Sequence, residues 1–485
     1  MAEAIDTDAA KRTHPTGLVA AHGPYAPAGP PADALSVNPP PIDTFGWHEV
    51  RRAVLIVTTL ILSVLKGVAV ELRVIGRAGR RRWVAAAAVG LVDGFEHLGP
   101  TFVKLGQMIA SSPSVFPSVL ADACLRCLDE VRPFDPDEVR RRIQEDLGAP
   151  PESLFTSFDP KPLSAASIAQ VHACVLPDGR QAVIKVQRPA IAARMNTDIR
   201  IMYRLARTLG RHPKARQANL EAVVVDLHQV TNEELNFALE AFRQDRFRKS
   251  IGVFGDNRYI TAPEVFWDFC GDHLICMERM YGTPMDDFDG LRARGIDGEL
   301  VLRRGLKVWM EAAMVHGAFH GDVHAGNLWV LEDGRAAFLD FGIMGELDET
   351  WRRLFRDMQY TAMIDGDYSR IVRNWKSVGV MPEDIGSDED VGMVVKAAME
   401  PLLDKPIGEV SLGELMSTNL RLAEQFGAKT PRELVLLSKQ LLYFERYGRE
   451  LAPDYNMSRD LFLIRNVFPD EVAPVTAERG LELPD

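Results

Sequence analysis

The residues best equipped for chemistry are His320-Gly321-Asp322-Val323-His324-Ala325-Gly326-Asn327 and, thirteen residues after Asn327, Asp340-Phe341-Gly342. Between them Leu328–Leu331 and Ala336–Leu339, joined by Glu332-Asp333-Gly334, read as strand, turn and strand. That hairpin returns Asn327 and Asp340 to the same end. An amide oxygen beside a carboxylate suits Mg²⁺, a hard cation that takes one or two protein ligands and completes its shell with phosphate and water. Asp322, five residues before Asn327, is positioned to accept a hydroxyl proton or to orient water. The chemistry is metal-assisted phosphoryl transfer. An alternative use of His320, Asp322 and His324 as zinc or iron ligands on one strand face leaves Asn327 and Asp340 without a role. His320 is read instead as holding the loop by hydrogen bonding.

Phosphoryl transfer needs a cation on the nucleotide phosphates. Ala182-Val183-Ile184-Lys185 supplies one, on the second strand of a hairpin formed by Gln170–Leu176 and Gln181–Gln187 around Pro177-Asp178-Gly179-Arg180. Glu234 and Glu240 are candidate carboxylates to hold it. Met277-Glu278-Arg279-Met280, at the end of the strand Leu274–Glu278, is the expected adenine hinge, with Glu278 and Met280 its contacts. No Gly-x-Gly-x-x-Gly precedes Lys185; Ser164-Ala165-Ala166-Ser167-Ile168-Ala169-Gln170 stands there instead. Without glycines the loop has fewer backbone options, so Ala165, Ala166, Ser167 and Ile168 are expected to hold the nucleotide in a stiffer frame. After Gly342 a helical pattern resumes at Trp351–Phe355, with no Ala-Pro-Glu anchor. The order of motifs is that of a kinase without its peptide dock.

The elements that must carry these residues lie in a chain of 485 residues with net charge −12. Hydrophobic content of 46% is globular, and net acidity argues against nucleic acid as a partner. Five cysteines exclude a disulfide framework; Cys124 and Cys127 form a lone pair, read as buried helical residues. Eight of the 30 prolines fall in residues 1–41, which read as a disordered tail without the architecture of a secretory signal. Residues 51–82 carry +7, leaving −19 for the remainder. Ala53–Leu65 lacks charge for thirteen residues, fewer than the roughly 20 a membrane span requires. Arg52, Thr59, Ser63, Lys66, Arg73 and Arg77 share one helical face. The expectation is an amphipathic helix on an anionic membrane surface, with a core-packing helix as the alternative.

From Leu98-Gly99-Pro100-Thr101-Phe102-Val103-Lys104-Leu105-Gly106-Gln107, together with the loop, lysine and metal motifs, the chain resembles the UbiB family of atypical kinases associated with isoprenoid quinones. Lys104–Gln107 matches the family's Lys-x-Gly-Gln signature. The resemblance implies an α+β, protein-kinase-like two-lobed fold with an N-terminal helical extension over the active site. It also implies Lys104 near Glu234, Lys185 paired with Glu240, Asp322 as proton acceptor, Asn327 and Asp340 on Mg²⁺, and ATP as the nucleotide. Ser164, Asn236, Gly321, Val323 and Ala325 depart from the family's usual residues, and Asn236 removes a charge near the expected Lys104 cluster. The expected organisation is a tail (1–47), a membrane-proximal helix (48–90), a helical extension (91–150), an N-lobe (151–282), a C-lobe (283–455) and a C-terminal tail (456–485). A cytoplasmic protein peripheral to the membrane is implied, with a quinone or lipid-related ligand and lipid-biosynthesis enzymes as partners. The alternatives are a small-molecule kinase of the aminoglycoside or choline kinase type and a nucleotide-gated chaperone.

Overall fold

The computed structural model describes residues 18–75, 80–110, 117–124, 133–211, 219–409 and 432–484. The chain forms two compact units, Met1–Leu239 with Val265–Arg279, and Glu240–Glu264 with Met280–Asp485.

The first unit contains helices α1 (Trp47–Ile75), α2 (Arg80–Leu98), α3 (Pro100–Ala110), α4 (Ser118–Cys124), α5 (Pro136–Leu147), α6 (Pro151–Leu154), α7 (Ile191–Leu209) and α8 (Leu220–Glu234). Its sheet has strands β1 (Ser157–Phe158), β2 (Ser164–Ala165), β3 (Ala169–Val175), β4 (Gln181–Gln187) and β6 (Leu274–Glu278). The order is β1-β3-β4-β6, with β2 on β3. The β3–β4 turn needs a left-handed residue, which Gly179 supplies at φ 89°, while Asp178 accepts the Arg180 N–H at 3.0 Å. Buried Cys124 packs with Phe95, Phe102 and Leu227 in the helical core of this unit; Cys127 lies outside the described residues.

Two expectations change here. Residues 18–46 are not a loose tail: Val19 N–H donates to Ser153 O at 2.9 Å and Gly23 N–H to Asp268 O at 2.9 Å. Tyr25, 5% exposed, donates its hydroxyl to Asp272. An extended proline-rich strap can be held by side chains and by backbone contacts to its support without internal hydrogen bonds. Residues 1–17 of the expected tail lie outside the described residues.

The second change concerns α1. Lys66 does not interrupt it, and Trp47–Val70, 24 residues, is long and apolar enough to cross a membrane by length and composition. Of its expected polar face, Arg52, Thr59 and Ser63 are half-buried, while Lys66 is exposed. Arg52 makes two bonds to the buried Asp198 on α7, at 2.6 and 2.9 Å, and a third to Leu98 O at 2.9 Å. Further along, Gly67 and Gly90 bring α1 and α2 into backbone contact: a Cβ on Gly67 would stand 2.7 Å from Ala86 O, and one on Gly90 2.6 Å from Ser63 O. Small residues permit such approach where larger ones forbid it. The apolar residues are consequently left outward, with Val54, Leu62 and Leu65 each about 60% exposed. Arg77 of the expected face lies outside the described residues, as does the side chain of Arg73.

Helix α9 (Phe237–Val253) runs from the first unit into the second, which adds α10 (Phe288–Ala293), α11 (Gly298–Glu311), α12 (Glu349–Tyr360), α13 (Tyr368–Ser377), α14 (Asp388–Leu403), α15 (Arg432–Leu451) and α16 (Pro469–Arg479). A sheet of order β5-β10-β9-β7 joins β5 (Ile260–Thr261), β7 (Gly282–Pro284), β9 (Leu328–Leu331) and β10 (Ala336–Phe338); a separate pair joins β8 (Ala318–His320) to β11 (Met344–Glu346). Trp309, Phe319, Phe338, Phe341, Phe444 and Phe462 anchor the core. Residues 456–485, expected as a tail, contribute to that core, since Leu461–Ile464 are each at most 2% exposed.

Lys307 on α11 is buried beneath this core and donates to Asp256 O. Burial, assisted by Arg465, lowers its pKa from 10.5 to about 8. Between those values the unfolded chain binds the extra proton, so stability should rise with pH from about 8 to 10.5. Denaturant titrations of the wild type and Lys307→Met should show the wild type gaining relative to the variant across that window. Parallel pH curves would refute the assignment.

Candidate functional site

In the second unit, β9 and β10 pair with Leu328 opposite Phe338, and Leu339 N–H closes the hairpin on Asn327 O at 2.8 Å. Asn327 and Asp340 thus leave the same end. Asn327 Nδ2 donates to Asp322 O at 3.0 Å, which fixes the amide and draws the Asp322 loop toward the hairpin. Asp340 is exposed, with φ 54°. That left-handed conformation is costly for a residue with a Cβ and marks positions held by their surroundings. Here the holding is visible: the Asp340 carboxylate accepts Gly342 N–H at 3.2 Å, Gly342 O accepts Arg243 of α9 at 3.2 Å, and the Phe341 ring packs 5.1 Å from Phe247. Glu240, 2% exposed, lies one turn before Arg243 on the same helix.

His320 joins the two motifs. Its Nδ1 accepts the Asp322 N–H at 3.2 Å and its Nε2 faces Leu339 O at 3.0 Å. Only the neutral imidazole with the proton on Nε2 satisfies both. Complete burial pushes its pKa down, against the opposing effect of the Leu339 carbonyl. His324 is not aligned with it as a metal ligand; its Nδ1 accepts Gly326 N–H at 3.0 Å and its Nε2 lies 3.5 Å from Asp322 Oδ2. Among the described residues no group of three or more His, Cys, Asp or Glu is arranged to hold a metal. The donor set at the hairpin end, one amide oxygen and one carboxylate, fits Mg²⁺ completed by phosphate and water.

In the first unit, Lys185 lies on β4 opposite Val171 and Ile275. It is 7% exposed, with its ammonium 5.5 Å from the Phe237 ring centre. Ser164 and Ala165 pair with Val171 and Gln170, and Ala166 N–H donates to Ala169 O at 2.8 Å. The glycine-free loop is therefore a tight hairpin turn. Arg188 fastens it, with its side chain on Ala166 O at 2.9 Å and its N–H on Ile168 O at 2.8 Å. The Ile168 side chain is buried, so the loop's outward groups come from Ala166 and Ser167. Lys104 on α3 forms an ion pair with Glu234 at the end of α8. Asn236 caps α9 through the Leu239 N–H at 2.9 Å and donates to Ala34 O at 2.9 Å. An aspartate there would cap the helix equally well but would lack the donor for Ala34. Glu278 belongs to the first unit and Met280 to the second.

Comparison with known proteins decides the family. A model described as the ABC1 atypical kinase-like domain matches residues 126–375, and one described as the UbiB helical domain matches 395–456. The chain belongs to the UbiB family of atypical kinases. An uncharacterized Mycobacterium tuberculosis protein is 37% identical over 430 residues, covering 88% of this chain and 84% of that one. A probable protein kinase UbiB of Erwinia tasmaniensis is 34% identical over 409 residues, 80% of this chain and 74% of its own. A solved Mycobacterium tuberculosis protein in complex with erythromycin covers 72% of this chain and 92% of its own at 20% identity, with a TM-score of 0.46. Family membership establishes the α+β kinase-like fold.

The UbiB helical segment includes residues that no motif announced. Gln440 on α15, fully buried, donates to Gly321 O at 2.6 Å and accepts Val323 N–H at 2.8 Å. Tyr447 donates to Val323 O at 2.8 Å, and Lys439 Nζ stands 3.5 Å from Asp322 Oδ1. A polar Ser438-Lys439-Gln440 step inside the apolar run Leu434–Leu442 was the one available signal.

His320→Phe preserves a ring but strands the Asp322 N–H and Leu339 O, at a cost of about 2–4 kcal/mol. The neutral imidazole also stabilises the fold above the ordinary histidine pKa of about 6.5 and loses that contribution as pH falls, because the unfolded ring protonates first. The variant should therefore melt lower at pH 7.5 and show a smaller further drop between pH 6.5 and 5. An equal acid decline in both proteins would count against the neutral bridge.

Proposed function

We propose that this chain binds MgATP and hydrolyses it or transfers its γ-phosphoryl group at a membrane surface, in support of isoprenoid-quinone or related lipid metabolism. The observation that carries the proposal is the arrangement of Asp322, Asn327 and Asp340 around neutral His320. Asn327 and Asp340 would hold Mg²⁺, and Lys185, secured by Glu240, would meet the nucleotide phosphates. Asp322 would orient the attacking oxygen and take its proton. The turn from Ala165 to Ile168 would cover the phosphates, with Glu278 and Met280 serving adenine. The cation neutralises phosphate charge when bound; the protein's own contribution is positioning and electrostatic stabilisation. The Lys104–Glu234 pair fixes the signature helix α3 to α8, which supports a role in excluding peptide substrates.

The outward apolar face of α1 supports the membrane part. Burying such residues in lipid rather than exposing them to water is favourable by about 25 cal/mol per Å² of apolar surface. The Erwinia relative is named a probable protein kinase, which supports phosphotransfer chemistry for this chain.

MgATP should raise the melting temperature of the wild type, and Asp340→Asn should remove that rise. A retained shift in the variant would sink the metal assignment. Replacing Leu62 and Leu65 together with aspartate should abolish co-sedimentation with vesicles of phosphatidylglycerol and phosphatidylcholine while preserving the MgATP shift. Undiminished sedimentation would remove α1 as the membrane contact.

A further inference from the structure

Phosphoryl transfer leaves charge on the equatorial oxygens of the moving group, and a fixed cation is the usual answer to it. The loop His320–Asn327 contains no lysine or arginine. The unit that bears Asp322 nevertheless presents one to it. Lys439 Nζ lies 3.5 Å from Asp322 Oδ1, with its side chain 34% exposed, and 5.9 Å from the Tyr443 ring centre. The backbone that carries it is held in register. Gln440, the next residue, clamps both sides of Asp322 through Gly321 O and Val323 N–H. Two turns further, Tyr447 holds Val323 O. A fully buried glutamine making two loop bonds registers α15 against Asp322 to within a side-chain rotamer, and that registration carries Lys439 with it.

We propose that Lys439 is a catalytic residue, the fixed cation that the catalytic loop lacks, delivered by the UbiB helical segment. This rests on the reading of the site as one for MgATP. In the step, the bond between the γ-phosphorus and the β,γ-bridging oxygen breaks, its electron pair staying on ADP. A bond forms from water or an acceptor hydroxyl to phosphorus, and the proton of that hydroxyl passes to Asp322. Lys439 keeps its proton throughout. In the resting site its charge is balanced by Asp322. As Asp322 takes the proton, that balance is lost, and the ammonium is released to the oxygens of the transferring group. The interaction strengthens as the reaction proceeds, which is the condition for raising kcat rather than ground-state binding.

Lys439→Met removes the charge at similar length, and Lys439→Arg keeps it. With full-length protein, three quantities are measured: the MgATP melting shift, kcat and KM for ATP, and affinity for MgADP with aluminium fluoride relative to MgADP alone. The methionine variant should keep the melting shift and KM while losing about 10²-fold in kcat and a comparable factor in aluminium fluoride affinity; arginine should restore much of both. An unchanged kcat and fluoride affinity in Lys439→Met overturns the proposal. So does an arginine variant as impaired as methionine, which would make Lys439 a spacer. Loss of the melting shift in the wild type itself would overturn the MgATP reading instead, and the two failures are thereby separate.

Discussion

A buried imidazole that must stay neutral organises the candidate site of the second unit. His320 accepts from the backbone of the residue that would take a proton, and faces the carbonyl that precedes the residue that would bind metal. A protonated ring would have two donors and no acceptor, so it would lose the Asp322 loop. Burial enforces the neutral form, and Phe338 and Phe341 supply it: their rings lie 5.7 and 5.0 Å from the imidazole. Phe341 therefore does two jobs through one contact surface. It seals His320 from water, and by packing on Phe247 it fixes the backbone at Asp340. The unfavourable φ of Asp340 is a consequence of that seal, held in place by Arg243 and Gly342.

The same economy explains α9. Asn236 opens it, Glu240 follows within its first turn, and Arg243 and Phe247 hold the Asp340 motif. One helix thus carries the carboxylate that the family resemblance assigns to Lys185 and the contacts that set the backbone at Asp340. Residues three and four apart share a helical face, which groups Glu240, Arg243 and Phe247 on one stripe. Asn236 also shows how a departure from the family pattern can be absorbed. The carboxylate is lost, the cap is retained, and the released donor ties down the strap at Ala34.

The strands and the hairpin that brings Asn327 and Asp340 to one end were legible because their signals are local. The hairpins around Gly179 and Gly334 follow from turn residues between alternating runs, and both carry φ near 85–89° at those glycines. Asp322, Asn327 and Asp340 are legible from spacing, since the hairpin between them converts chain distance into proximity. What escaped was non-local. Prolines in residues 18–41 lower the propensity for regular structure, but propensity says nothing about whether Tyr25 finds Asp272 nearly 250 positions away. The polar face of α1 had the right period, but its first member, Arg52, meets protein rather than solvent. Periodicity locates a face; only the partner decides whether it meets water, and here the partners were Asp198 and the glycines of α2.

The orientation of α1 follows from energetics rather than accident. A guanidinium making bidentate bonds to a carboxylate that is wholly buried cannot be exchanged for solvent without leaving Asp198 uncompensated, and breaking such a pair from one side costs about 3–5 kcal/mol. Arg52 therefore fixes the rotation of α1 about its axis, and Glu49, bonded to Arg200 on α7 at 2.9 Å, fixes it again one turn earlier. With rotation set at the base, Val54, Leu62 and Leu65 have no freedom to turn inward. Thr101 donates to the same Asp198 carboxylate at 3.0 Å at the start of the signature helix α3. The carboxylate that orients the apolar face of α1 is thus also the one that seats α3, and Lys104 lies one turn beyond. The outward apolar surface of α1 and the signature motif are set by a single buried charge.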